Sequence, residues 1–241
     1  MSDEVLERMI SSYLGTNQPQ YSIGWQGGEP TLMGLDFFKR VIQLEQQHGG
    51  RGAQVSNGLQ TNTTLINDAW AEHLARYNFL VGVSIDGPAE RHDRYRVFVD
   101  GRGAHANVMR GVECLKRNRV EYNVLTLVSQ SNVRHPAEIY HYLRDDLDVL
   151  FHQYIECVEF EADGSLAPFA IRAGEWGDFL CGIYDEWLAC DDTRRVSVRL
   201  FDTILTKLVL KLGIETNLYH LLMMNDLPDD PNELFLTSCE T

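Results

Sequence analysis

YSIGWQGGEP, residues 21–30, sets the reading of the whole chain. Tyr21–Gln26 reads as a strand that runs into glycines, and residues 34–48 then return to helix period. Working backward, residues 2–14 read as a helix that Ser2 can cap, with Val5, Leu6, Met9, Ile10 and Tyr13 as its apolar stripe. Working forward, strand and helix keep alternating. Ala53–Gln60 reads as strand, 67–77 as helix, and Phe79–Asp86 (FLVGVSID) as a short apolar strand. A loop through Gly103 leads to a helix ending near Asn118, then to the strand Val120–Ser129 and the helix Pro136–Arg144. Leu150–Val158 is strand-like, 173–189 helical, Val196–Phe201 strand-like and 202–212 helical. Strands separated by helices of about ten residues or more predict βαβ units and a parallel sheet. Right-handed crossovers leave an open doubly wound sheet or a (β/α) barrel. The array opens with a helix, so it has lost its first strand or never had one. Residues 213–241 carry a Pro/Asp-rich turn and no clear period.

The chain has 241 residues, 44% hydrophobic and 23% charged, which bounds it as a soluble globular protein. Its formal net charge of −14 repels phosphate backbones, so nucleic acid is not an expected partner. No stretch is long and apolar enough to span a bilayer, and the N-terminus lacks a basic region followed by an apolar one. No membrane partner and a cytoplasmic location are expected. The five cysteines include no C-x-x-C pair, and the spacing fits free thiols in a reducing compartment.

Three polar segments follow three successive strands. Gln26-Gly27-Gly28-Glu29-Pro30 lets a ligand approach the backbone, and Glu29 can accept from an ammonium group; the same residues also fit a tight turn. Gln60-Thr61-Asn62 offers short polar side chains, or an Asn/Thr turn into the next helix. Ser84 and Asp86 share one face of a strand end, and Arg96 can grip a carboxylate bidentately, although a solvated charge run reads the same way. In a parallel barrel all three loops open on one rim, which favours a shared site.

GWQGGEP, LQTN and SIDGP, in this order and spacing, resemble the radical S-adenosylmethionine (SAM) superfamily. The resemblance is strongest to anaerobic sulfatase-maturating enzymes, with RHDRYR, VEYNVLTLVS and VSVRLFD as further similar stretches, and it covers roughly residues 1–212. It implies an α/β fold, a partial (β/α)6 radical SAM barrel lacking its first strand, with a short C-terminal extension. Residues 1–160 would form the barrel, 161–212 the extension with the Phe-Asp pair, and 213–241 an unmatched tail. The implied cofactors are SAM and a [4Fe–4S] cluster. The implied partners are a sulfatase segment bearing Cys or Ser, oxidised to formylglycine, and an electron donor such as a flavodoxin or ferredoxin. Gly27, Gly28 and Glu29 would hold the SAM amino group, with Gln26 and Asn62 beside the cofactor. Ser84 and Arg96 would bind its carboxylate, and the Val158 backbone its adenine. Asp202 would accept the substrate proton.

The sequence departs from the family at both ends. It has no C-x3-C-x2-C triplet to ligate the cluster, so no metal ligands are assigned, and Met1 is expected to be internal to a longer frame or a mis-assigned start. The cysteine-rich region that follows in the family is absent, and Cys239 alone supplies no cluster. The isolated chain is expected to be inactive. Two alternatives stay open: another peptide-modifying radical SAM enzyme, or a cluster-less module that binds SAM or peptide without chemistry.

Overall fold

The computed structural model describes residues 1–16 and 18–211; the expected tail and Cys239 lie outside them. In chain order the elements are α1 (Asp3–Leu14), β1 (Gln20–Trp25), α2 (Leu35–His48), β2 (Gln54–Thr61), α3 (Asp68–Arg76), β3 (Leu80–Ser84) and α4 (Ala89–His92). There follow α5 (His105–Arg117), β4 (Tyr122–Val128), α6 (Pro136–His141), β5 (Phe151–Glu156), α7 (Ala173–Ala189), β6 (Ser197–Val198) and α8 (Arg199–Lys211).

The six strands form one parallel sheet in the order β1-β2-β3-β4-β5-β6. Because the order never reverses, and crossovers between parallel strands are right-handed as a rule, the connecting helices fall on the same face. That removes the doubly wound alternative, which needs a reversal and helices on both faces. β1 and β6 are open edges, so the barrel is partial. Past residue 160, β6 adds to the edge of this sheet beside β5, and α8 follows it.

One-sided covering explains the residue pattern. Tyr21 and Trp25, Leu59 and Thr61, Val81 and Val83, Val124 and Val128, and His152 and Tyr154 are buried under the helices. The alternate positions, Ser22 and Gly24, Ser56, Gly58 and Gln60, and Gly82 and Ser84, line the other face. This second face is small and polar over most of β1 to β3, and on β4 and β5 it carries Leu125, Leu127 and Ile155.

Under the helices Phe38 meets Trp25, Trp70 and Phe79 edge-on, at 5.7, 5.3 and 6.2 Å between ring centres. Trp25 Nε1 donates to Asn57 Oδ1 at 2.8 Å, and Asn57 Nδ2 donates to the buried Glu45 at 3.0 Å. Burial raises the Glu45 carboxyl pKa, opposed by the Asn57 bond.

The strand expected over Val196–Phe201 is cut to two residues, and the helix starts at Arg199. The indole of Trp187 takes the Val196 carbonyl at 2.8 Å, and Phe201 packs on Trp187 and Tyr184. Val198, the last residue of β6, and Phe201, in the first turn of α8, are both buried. Asp202 is therefore inside the first turns of α8, not at a helix cap.

Candidate active site

The end of β1 turns through Gly27 and Gly28, whose φ angles are +103° and +57°. Side chains rarely adopt these values, and nothing lies within 4 Å of where a Cβ would stand, so the loop faces open space. Glu29 locks this loop to the end of β2. Its Oε1 accepts from Thr31 N (3.0 Å), Thr31 Oγ1 (2.6 Å) and Thr61 Oγ1 (2.7 Å). Its Oε2 accepts from Asn62 N at 2.8 Å. The carboxylate expected to meet an ammonium group is thus chiefly a fastener between two strand ends, with room for one more donor at Oε2.

Asn62 turns its side chain back, its Oδ1 accepting from Thr64 N and Oγ1 at 3.0 and 2.8 Å. Gln60 reaches across β3 and donates to Ser84 Oγ at 3.1 Å. A Cβ on Gly82 would stand 2.0 Å from Gln60 Oε1, so glycine at 82 is what lets this bridge lie flat. Ser84 keeps its own hydroxyl proton for a ligand acceptor.

Arg96 grips Asp86 with a fork, Nε to Oδ2 at 2.5 Å and Nη2 to Oδ1 at 3.1 Å. Asp86 Oδ1 also accepts from Leu127 N at 2.9 Å, which ties the β3 loop to β4. Arg96 Nη1 is the guanidinium nitrogen with no hydrogen bond among the described residues. Behind this pair His92 is 1% exposed, and its Nδ1 accepts from Asp86 N at 3.2 Å. Burial drives its pKa down to about 4, so the ring is neutral and its Nε2 has no partner. Asn132 completes the corner, donating to Asp86 O and Leu127 O, both at 3.0 Å.

Val158, exposed just past β5, has a backbone N–H and C=O with no partner among the described residues, while its neighbour Cys157 is paired to Val128 O and Ile171 N. Gln26 is exposed at the end of β1. Asp202 accepts from Ser197, which pairs with Phe151 at the start of β5. Phe151 lies two residues before Gln153, whose row runs through Leu125 to Ser84, roughly 7 Å at about 3.3 Å per residue. Burial raises the Asp202 pKa. The fold brings Gln26 through Glu29, Asn62, Ser84, Arg96 and Val158 to the strand-end rim.

Among the described residues the thiols do not assemble for a cluster. Cys114 is on α5, Cys157 follows β5, and Cys181 and Cys190 lie on and just after α7, roughly 13 Å apart along the helix axis. This donor set does not fit an iron–sulfur cluster.

Thr31 and Asn132 are site-building residues that the sequence reading did not name, and Gln60, Thr61 and His92 were read only as members of polar segments, without these partners. Threonines at 31 and 61 sit beside the quoted glycine and asparagine segments and carried a signal; His92 and Asn132 carried none, because their partners are distant in sequence.

Residues 1–143 match the radical SAM superfamily. The chain is 35% identical over 221 residues to a serine-type anaerobic sulfatase-maturating enzyme of Bacteroides thetaiotaomicron, covering 85% of this chain and 53% of that protein. It is 36% identical over 213 residues to a cysteine-type anaerobic sulfatase-maturating enzyme of Clostridium perfringens, covering 87% and 57%. Among solved structures it is similar to native anSMEcpe with bound AdoMet and Kp18Cys peptide, with TM-score 0.82, 36% identity, and 88% of this chain and 59% of that one covered. The chain spans about half the length of the curated relatives it matches.

Proposed function

Given that the chain belongs to the radical SAM superfamily, we propose that it is the barrel portion of a sulfatase maturase, an oxidoreductase that converts a Cys or Ser of a sulfatase to formylglycine with SAM at the strand-end rim. The observation that carries this reading is the convergence of open binding groups there: the Gly27–Gly28 backbone, the Ser84 hydroxyl, Arg96 Nη1 and the Val158 backbone.

SAM, when bound, supplies the 5′-deoxyadenosyl group that abstracts hydrogen in this superfamily. The rest is the work of the chain's own residues. Gly27 and Gly28 admit the amino group close to the backbone, and the remaining lone pair of Glu29 Oε2 can accept from it. Ser84 donates to the carboxylate, and Arg96 adds Nη1 while Asp86 holds the rest of its fork in place. The Val158 N–H and C=O match the donor and acceptor edge of an adenine. Gln26 and Asn62 flank the cofactor on the β1 and β2 sides. Asp202 is the proposed acceptor of the substrate proton, its carboxyl pKa raised by burial and its carboxylate held by Ser197; an Asp202→Asn change in the full-length enzyme should leave SAM cleavage intact and remove formylglycine formation, and full retention of formylglycine formation would sink the assignment. The sulfatase segment approaches the second face of the sheet, and the electron donor, a flavodoxin or ferredoxin, would act on cluster ligands that these 241 residues do not contain. That same donor set favours a second reading for the chain by itself, a module that binds SAM or peptide without chemistry.

Calorimetric titration of the chain with SAM tests the site. Binding is expected, and Ser84→Ala should weaken it about 10–100-fold, the loss of a hydrogen bond to a charged group. Gly27→Val should abolish it with the fold retained by circular dichroism. No binding to the unaltered chain, or equal binding by all three proteins, would sink the reading. Titration with a Cys-containing sulfatase peptide against its scrambled form then separates a maturase from other peptide-modifying relatives.

A further inference from the structure

A second cluster of functional side chains lies at the opposite end of the sheet. His141 closes α6, and Glu186 and Cys190 stand four residues apart on one side of α7, Cys190 being its C-cap. Both helices run back antiparallel to the strands, so their C-terminal ends are far from the strand-end rim. One ligand atom from each residue, the imidazole nitrogen, a carboxylate oxygen and Sγ, lies within 4.8 Å of the others. His141 Nε2 is 2.9 Å from Glu186 Oε2, and Cys190 Sγ has no hydrogen bond among the described residues.

We propose that His141, Glu186 and Cys190 form a binding site for a thiophilic divalent cation of the zinc class. Imidazole plus thiolate plus a single carboxylate is a donor set that disfavours magnesium and calcium and suits zinc. Metal–ligand lengths of about 2.0–2.3 Å place tetrahedral ligand atoms about 3.3–3.8 Å apart, so the widest present separation closes by about 1 Å of side-chain rotation. The fourth position is left for water. An independent feature points the same way. His141 Nδ1 is 2.8 Å from Asp145 Oδ2, the carboxylate–imidazole contact that orients a metal-bound histidine. Asp145 stands four residues after His141, within the π-turn Tyr142–Asp146 by which the chain leaves α6, a distortion found often at functional sites. The neighbouring charge is already committed: Tyr140 and Arg144 both bind Asp192, which keeps that carboxylate out of the set. A cation here clasps α6 to α7 beside the start of β6, and leaves the rim chemistry untouched.

The test is cobalt(II) titration of the full 241-residue chain, free of any histidine tag, followed by displacement with zinc. One equivalent of cobalt should give a near-ultraviolet sulfur-to-metal charge-transfer band. Cys190→Ser should remove the band, and Asp145→Asn should weaken zinc binding about 10–100-fold. His141→Gln and Glu186→Gln should weaken it at least as much as Asp145→Asn does. Cys181→Ser, an exposed thiol on the same helix, should change nothing. Zinc should raise the Tm of the unaltered chain and not of Cys190→Ser. No band, a band that survives Cys190→Ser, or zinc affinity unchanged in His141→Gln would overturn the proposal.

Discussion

Replacing Glu29 by Gln separates two roles for one carboxylate. The amide keeps one oxygen, which will take the Oε1 position because three donors from Thr31 and Thr61 converge there. The new NH2 then faces Asn62 N–H, where Oε2 now accepts at 2.8 Å, so one charge-assisted bond becomes a donor facing a donor. Losing a bond to a charged group and stranding a half-buried N–H costs about 2–3 kcal/mol. For a chain of this size that is a fall of about 5–10 °C in Tm. Urea unfolding followed by circular dichroism, with no SAM present, reads the loss directly; the midpoint should fall with the slope unchanged. If Glu29 were only an ammonium ligand, Glu29→Gln would leave cofactor-free stability within about 0.5 kcal/mol, as for an ordinary surface substitution, and only binding would suffer. That outcome would refute the fastener role.

His92 is neutral when folded and titrates near 6.5 when unfolded, so stability is fully present above 6.5 and is lost as the pH falls through about 4, by about 3 kcal/mol in all. His92→Gln should show a shallower acid decline than the unaltered chain, and parallel curves would contradict this. Glu45 has the opposite sign: its raised pKa gives stability that is complete below the unfolded value and lost as the pH rises through the folded one. Glu45→Gln keeps an acceptor for Asn57 and should be more stable than the unaltered chain at neutral pH by thermal unfolding; no gain would remove the desolvation argument. Gly111 lets α5 approach the loop after β2 so closely that a Cβ would stand 2.3 Å from Thr63 O, a backbone atom. Gly111→Ala should cost about 1–3 kcal/mol in urea unfolding, and an unaffected midpoint would mean that α5 shifts freely.

The sequence by itself determined the βα alternation, because apolar periods of two and of 3.6 are local and each strand is short and bounded by glycine or polar turns. It also determined the rim: Gln26 to Glu29, Asn62 and Ser84 were legible as residues that follow strands, which a parallel sheet must place at one end. Tertiary structure alone decided that the strand order never reverses, since either winding fits the same local periods. It decided that Arg96 is shared with Asp86 and that Glu29 fastens two strand ends, because those partners are set by crossovers and by the register of β2 beside β1. It cut the strand expected over Val196–Phe201 to two residues and put Asp202 inside a helix, because the Trp187 indole takes the Val196 carbonyl. The grouping of His141 with Glu186 and Cys190 was likewise invisible in the chain, where they stand 45 and 49 positions apart, since only the packing of α6 on α7 brings them within reach.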